Sequence, residues 1–192
     1  MAERASRSTR IRALLSLGTA AAVGVTGTYA YWTDTVQVTG TALTTGTIDL
    51  KVNGQDAVTG WTSLNLAAMM PGNSTAGVLT VSNSGTAPLQ YYLGSSATNA
   101  DGKGLAAALT LTVTGAAAVT GTSPTATCGG AALTGSATTL ATEILGSPAS
   151  PRTLAAGASE TICLQLTLPG AANTSLQGAT TSVTFTASGT SY

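Results

Sequence analysis

The chain has 192 residues, 43% of them apolar, with seven basic against seven acidic side chains and no histidine. That is long enough for one good core, and the missing histidine removes the commonest general base, the commonest metal ligand and every Ser-His-Asp arrangement. The zero net charge hides an asymmetry: Arg4, Arg7, Arg10 and Arg12 stand at the start, whereas from Tyr31 onward the balance is about −3, which leaves no basic surface to track a phosphate backbone and counts against nucleic acid.

The basic start leads into ALLSLGTAAAVGVTG, residues 13–27, and then Thr28, Tyr29 and Ala30. Charged, apolar and then small is the order of an export signal. A permanent membrane span is the rival reading, but it needs about 20 predominantly apolar residues, and this run carries three glycines with Ser16, Thr19 and Thr26. Cleavage after Ala30 would put Thr28 and Ala30 in the small-residue positions of the peptidase and free an N-terminus at Tyr31. The predicted organisation is a signal helix over 1–30, an N-terminal arm over 31–45 and a β-domain over 46–192.

From Tyr31 the dominant period is two, with threonine as the usual polar partner, which predicts strands. In TIDLKV, Ile48, Leu50 and Val52 share a face. Strands are also expected in WTSLNL from Trp61, VLTVSN from Val78 and LQYYL from Leu89. LTLTVTG puts Leu109, Leu111 and Val113 inward, and ICLQLTL puts Ile162, Leu164, Leu166 and Leu168 opposite Cys163, Gln165 and Thr167. SVTFTA from Ser182 comes last. Asn53-Gly54, Pro71-Gly72, Asn83-Ser84-Gly85 and Pro169-Gly170 supply the turns. Many short strands with one apolar face each predict an all-β protein, a two-sheet antiparallel sandwich of jelly-roll type.

Between Ala116 and Ala158 the composition thins to Ala, Gly, Thr, Ser and Pro, with TTLATEIL, residues 138–145, as a candidate helix. This stretch reads as a long excursion that a Cys128–Cys163 bridge would pin to the sheet. Two cysteines in an exported chain favour one disulfide; two reduced core thiols are the alternative, and without histidine they complete no tetrahedral metal set. Asp34, Asp49, Asp56, Asp101, Glu143 and Glu160 are scattered and read as surface charge. Tyr91 and Tyr92 are candidate ring contacts for a ligand, but strand neighbours point to opposite faces, so at most one serves and the other packs in the core.

A basic start, a Gly-rich apolar run, GTYAYWTD at 27–34, GTIDL at 46–50, MPG at 70–72 and SNSGTAPLQY at 82–91 follow one another in an order that resembles the TasA/camelysin family of Gram-positive bacteria. The resemblance implies a jelly-roll domain, export through a SipW-type signal peptidase and, for the best-known members, assembly into biofilm-matrix fibres in which each subunit lends its N-terminal strand to the next. An anchor or minor fibre protein is a further candidate partner, whose need the sequence does not decide. Some relatives are described as zinc-dependent proteases; without histidine there is no H-E-x-x-H helix here, so that activity is not carried over, and no catalytic residue, metal or cofactor is expected.

In YWTDTVQVTGTAL, from Tyr31, the even positions Trp32, Val36 and Val38 form an apolar face with Asp34 as the misfit. Such a segment suits β-strand addition to a neighbouring sheet, or folding back on its own domain. The expected function is therefore a secreted, non-enzymatic fibre subunit whose partners are copies of itself and which touches a membrane only through an uncleaved signal. The alternative is a monomeric extracellular binding module for a glycan or protein, with Tyr91 or Tyr92 and Trp61 as contacts.

Overall fold

The computed structural model describes residues 45–191, apart from 59, 60, 62, 65–67, 116 and 117. The strands are β1 (Leu50–Val52), β2 (Ser74–Asn83), β3 (Leu89–Ala97), β4 (Thr110–Gly115), β5 (Val119–Thr120), β6 (Thr127–Cys128), β7 (Arg152–Leu154), β8 (Ser159–Thr167) and β9 (Val183–Ser191). They form a four-stranded sheet ordered β1-β2-β8-β4, a three-stranded sheet ordered β7-β3-β9, and a β5-β6 ribbon. Every ladder between these strands is antiparallel. The expected all-β sandwich is what the chain builds.

Alternation explains the layers. In β2, Leu79 and Val81 face inward; so do Leu111 and Val113 in β4, and Ile162, Leu164 and Leu166 in β8. They meet Leu89, Tyr91 and Leu93 of β3 and Leu154 of β7, and together these side chains form the buried core. Val183, Phe185 and Ala187 of β9 pack against that core but are only half-buried.

The turns follow their residues. Asn53 and Gly54 both take positive φ, 51° and 76°, the signature of a two-residue hairpin turn, and Val52 bridges Gln55 beyond it. At Met70–Asn73, the Asn73 amide donates to the Met70 carbonyl at 2.9 Å; Pro71 pre-sets one φ and Gly72, at +87°, takes the left-handed one.

Three sequence expectations are corrected. TIDLKV forms a strand only over Leu50–Val52, and Ile48 is 40% exposed. Among the described residues of WTSLNL there is no strand: Trp61 and Ser63 lie against Gly77 of β2, and Thr75 Oγ1 donates to the Ser63 carbonyl at 3.3 Å. The Trp61 ring lies against the bare backbone of Gly77 and meets Phe185 edge-on with centroids 5.9 Å apart. TTLATEIL is not helical. Its backbone pairs irregularly with two strands, and Ile144 and Leu145 are fully buried; the Leu140 and Ile144 spacing imitates a helix, but tertiary pairing overrides it. The helical turns among the described residues are α1, Leu105–Ala108, and a 3-10 turn, Thr174–Leu176.

Candidate functional site

The two sides of the sandwich end differently. On the side of β4 and β7 the excursion covers the outer edge of β4 and continues along β3 where β7 stops. The Leu111 amide donates to Thr138 at 2.8 Å, Leu133 to Val113 at 3.1 Å and Gly115 to Ala131 at 3.2 Å, so residues 131–138 line the outer edge of β4. Beyond β7, Leu93 donates to Leu145 at 2.9 Å, Ile144 to Leu93 at 2.8 Å and Ser95 to Ala141 at 2.8 Å. Gly94 permits this approach, because a Cβ there would strike the Thr142 carbonyl.

The excursion also covers the outer face of the four-stranded sheet. Cys128 and Cys163 form a disulfide with Cα atoms 5.8 Å apart. Cys163 is buried with Ala76 and Ala126, so this outward position of β8 does not meet water. The Cys128 amide donates to Gln165 Oε1 at 2.9 Å, Thr114 Oγ1 to Gly129 at 2.7 Å and Ser74 Oγ to Ala126 at 2.7 Å.

The opposite side is β1 and β9. β1 is three residues long and pairs only with Val81–Asn83 of β2. β9 runs nine residues and pairs with β3 along one edge, and among the described residues nothing pairs with its other edge. The Thr98 amide donates to Ser182 at 3.0 Å. Counting along the register from that pair, the amides and carbonyls of Val183, Phe185, Ala187 and Gly189 point away from β3. The same residues turn their side chains inward, where Phe185 meets Trp61 and Gly189 lies beside Leu50. No charged residue and no proline guards Val183–Ser191, the usual protections of an exposed edge.

One polar network ties the sheets together. The Tyr91 hydroxyl donates to Glu160 Oε2, Arg152 Nε donates to the same oxygen at 3.1 Å, and Arg152 Nη2 donates to Oε1. Tyr91 and Arg152 are register partners on β3 and β7, whereas Glu160 comes from β8. Burial and the Glu160 carboxylate push the tyrosine hydroxyl well above its usual range. Burial alone would raise Glu160, but the hydrogen bonds from Arg152 and Tyr91 outweigh it and hold the carboxyl below its ordinary value; the Glu160 bond in turn raises Arg152. Glu160 is therefore not the surface charge that its scattered position suggests; its side chain is 20% exposed. Asp101 and Lys51 do fit that description. Amides of Lys103 and Thr180 lower Asp101, and Asp56, then Asp49, raise Lys51 at the surface.

Asn83 organises the loop between β2 and β3. Its Nδ2 donates to Ala87 at 2.8 Å, with Ala155 at 3.2 Å and Leu154 at 3.3 Å, and its Oδ1 accepts from Gly85 at 2.9 Å. Among the described residues no buried side-chain nitrogen or oxygen is left without a partner.

Of the sequence-derived candidates, Thr28, Ala30, Tyr31, Trp32, Val36 and Val38 lie outside the described residues, as does the 1–30 segment. Tyr91 is fully buried and cannot face a ligand, and Trp61 is engaged in packing; Tyr92 is half-buried on the outer face of β3. The uncovered β9 edge was not singled out in the sequence, although the uncharged run VTFTASGTS is its signal.

The family model described as camelysin metallo-endopeptidase matches residues 11–103. No curated protein matches the chain. The family name implies a catalytic metal, and the donor set does not fit one: the chain has no histidine, both cysteines are joined to each other, and among the described residues no three His, Cys, Asp or Glu gather. A catalytic zinc centre takes three such ligands and an open position. Among the described residues no helix is long and apolar enough to cross a membrane. The matched stretch contains GTYAYWTD, GTIDL, MPG and SNSGTAPLQY, in agreement with the resemblance they carry, and it is consistent with a place for this chain in the TasA/camelysin family.

Proposed function

We propose that the protein is a secreted, non-enzymatic fibre subunit that polymerises by lending its N-terminal strand, residues 31–45, to the sheet of another copy once a SipW-type peptidase has removed residues 1–30. The observation that carries this reading is the outer β9 edge, with which nothing pairs among the described residues, and Val183, Phe185 and Ala187 half-buried beside it. An added strand would satisfy the outward amides and cover those side chains. The family match supports export and extracellular or surface residence. An anchor or minor fibre protein would complete the partner set.

Magnitudes make the assembly feasible. Burying Trp32, Val36 and Val38 contributes about 1.5–3 kcal/mol each, and each backbone bond about 0.5–1.5 kcal/mol. Association costs about 4–15 kcal/mol before the arm is ordered. The gain exceeds the cost only if most of the strand pairs. The uncut precursor, its arm tethered at Ala30, stays unassembled. Electron microscopy of protein starting at Tyr31 and protein starting at Thr45 tests this: regular fibres are expected from the first and none from the second, and equally regular fibres from the shortened chain would refute the reading.

A further inference from the structure

The excursion does more than cover a strand edge. It doubles back on itself, and between its two limbs and β7 lies an open cleft of about 600 Å³, lined by residues 134–137, 143, 146, 147 and 150–153. Ligand sites commonly occupy about 300–1,000 Å³. The limbs are tied together: the Ala137 amide donates to Ile144 at 2.8 Å, Gly146 donates to Gly135 at 3.3 Å, and Ser136 bridges Leu145. Next along the chain, Ser147 and Ser150 exchange two backbone bonds of 3.1 Å, and the Ser150 amide also donates to Ser147 Oγ at 3.0 Å. Gly146 takes a φ of 68°, where a side chain is disfavoured, and any side chain there would lie against Arg152 and Tyr92. Walls fixed in this way lose little freedom when something binds between them.

The chemistry of the lining narrows the ligand. Five side chains carry a hydroxyl, Thr134, Ser136, Ser147, Ser150 and Thr153, and two carry a charge, Glu143 and Arg152. Among the described residues no aromatic ring lines the cleft, so a nucleobase has nothing to stack on. Arg152 is the one cation of the lining and already grips the Glu160 carboxylate, which leaves a polyanion without a counter-charge. One carboxylate does not hold a cation either, and among the described residues no three His, Cys, Asp or Glu gather. A neutral molecule dense in hydroxyls is what fits. Serine and threonine hydroxyls both donate and accept, as sugar hydroxyls do, while a carboxylate only accepts and a guanidinium only donates. Bonds to those two charged groups are the stronger ones.

We infer that this cleft binds a neutral saccharide, a short stretch of a glycan chain, with the exposed Glu143 accepting from two vicinal hydroxyls, Arg152 donating to a sugar oxygen from the wall, and Ser136, Ser147 and Ser150 pairing with the remaining hydroxyls. Glu160 is a positioning residue for Arg152, since its two bonds fix the plane of the guanidinium. The site does not depend on the fibre reading. It adjoins β7, at the opposite edge of the three-stranded sheet from β9, so a monomer has it as fully as a fibre subunit does. In a fibre the cleft would recur in every subunit, and one glycan chain spanning several copies would be held more tightly than any single cleft holds it.

Titration calorimetry of the full chain tests this, with short linear oligosaccharides of glucose, mannose, galactose and N-acetylglucosamine as probes, and inorganic phosphate and an uncharged Gly- and Ser-rich peptide as comparisons. At least one of the saccharides should bind with a Kd of about 1 mM or tighter. Glu143→Gln, which removes the charged acceptor, and Ser150→Trp, which fills the cleft, should each weaken that binding about tenfold or more, and Thr184→Ala on β9 should leave it unchanged. Glu143 and Ser150 are both exposed, so unaltered melting temperatures are expected of the variants and separate lost binding from lost folding. No heat from any saccharide up to about 10 mM, equal binding by parent and both variants, or a preference for phosphate or the peptide would each overturn the inference. Fibres that form and bind none of the saccharides would overturn it while leaving the fibre reading standing; saccharide binding by a chain that never polymerises would uphold it and sink the fibre reading.

Discussion

The two sides of the sandwich solve the same problem in opposite ways. On one side residues 131–145 satisfy the outer backbone of β4 and of β3 beyond β7, and Ile144 and Leu145 are fully buried in the core. Where β1 and β9 end their sheets, a three-residue strand and a nine-residue strand leave Val183, Phe185 and Ala187 half-covered. The first side is closed by the protein's own chain, through side chains that are already desolvated. On the second, among the described residues, the outward amides and carbonyls of Val183, Phe185, Ala187 and Gly189 have no strand partner.

That contrast can be broken most directly by deleting side chains on each side. Ile144→Ala should destabilise the monomer by about 2–5 kcal/mol, as a fully buried site that cannot collapse. Phe185→Ala should cost only about 1–2 kcal/mol in the monomer, since the ring is half-covered, yet, on the proposed function, raise the concentration needed for assembly more than tenfold. Urea midpoints at unchanged slope, set against sedimentation of assembled material, measure both; equal monomer losses at the two sites would erase the distinction.

Removing the bridge sharpens the account of the closed side. With Cys128 and Cys163 both changed to alanine, the chain-entropy model for a separation of 35 residues gives a loss of about 3–4 kcal/mol. The bonds from Cys128, Thr114 and Ser74 to their partners remain, so hydrogen exchange should quicken across residues 118–130 well before it does in β8. Uniform quickening would mean that the disulfide alone holds the excursion in place.

The smallest effect concerns the network that joins the layers. Because Glu160 is held below its ordinary value of 4.5, its contribution is complete above that pH and is lost as the pH falls through the lower folded-state value. Thermal melts of the parent protein should therefore lose ground below about pH 4.5, and Glu160→Gln should flatten that slope. An identical acid slope in the variant would assign the loss to other carboxylates.

The sequence made the interior more legible than the edges. Strict alternation in LTLTVTG and ICLQLTL identified the inward faces of β4 and β8, and Asn53-Gly54 and Pro71-Gly72 were readable because each needs a φ that few residues supply. Residues 131–145 follow no period: their order comes from bonds to strands far away in the chain, so Leu140 and Ile144 suggested a helix that does not form. Tyr91, Arg152 and Glu160 were equally hidden, since sequence separations of 69 and 8 carry no local sign of a shared carboxylate. Trp61 was misread as a strand residue because its neighbours alternate, although its ring is needed over Gly77. The proposed arm, residues 31–45, rests on its own alternation and on the resemblance.

An edge that receives from one neighbour and an arm that gives to another are different surfaces, so contacts of this kind propagate instead of closing into a symmetric pair. A filament built in the proposed way would have a direction and two chemically unlike tips, one exposing a bare β9 and the other an unused arm. A chain truncated before Thr45 would still fit the second tip and offer nothing onward, making it a terminator of growth at that tip alone.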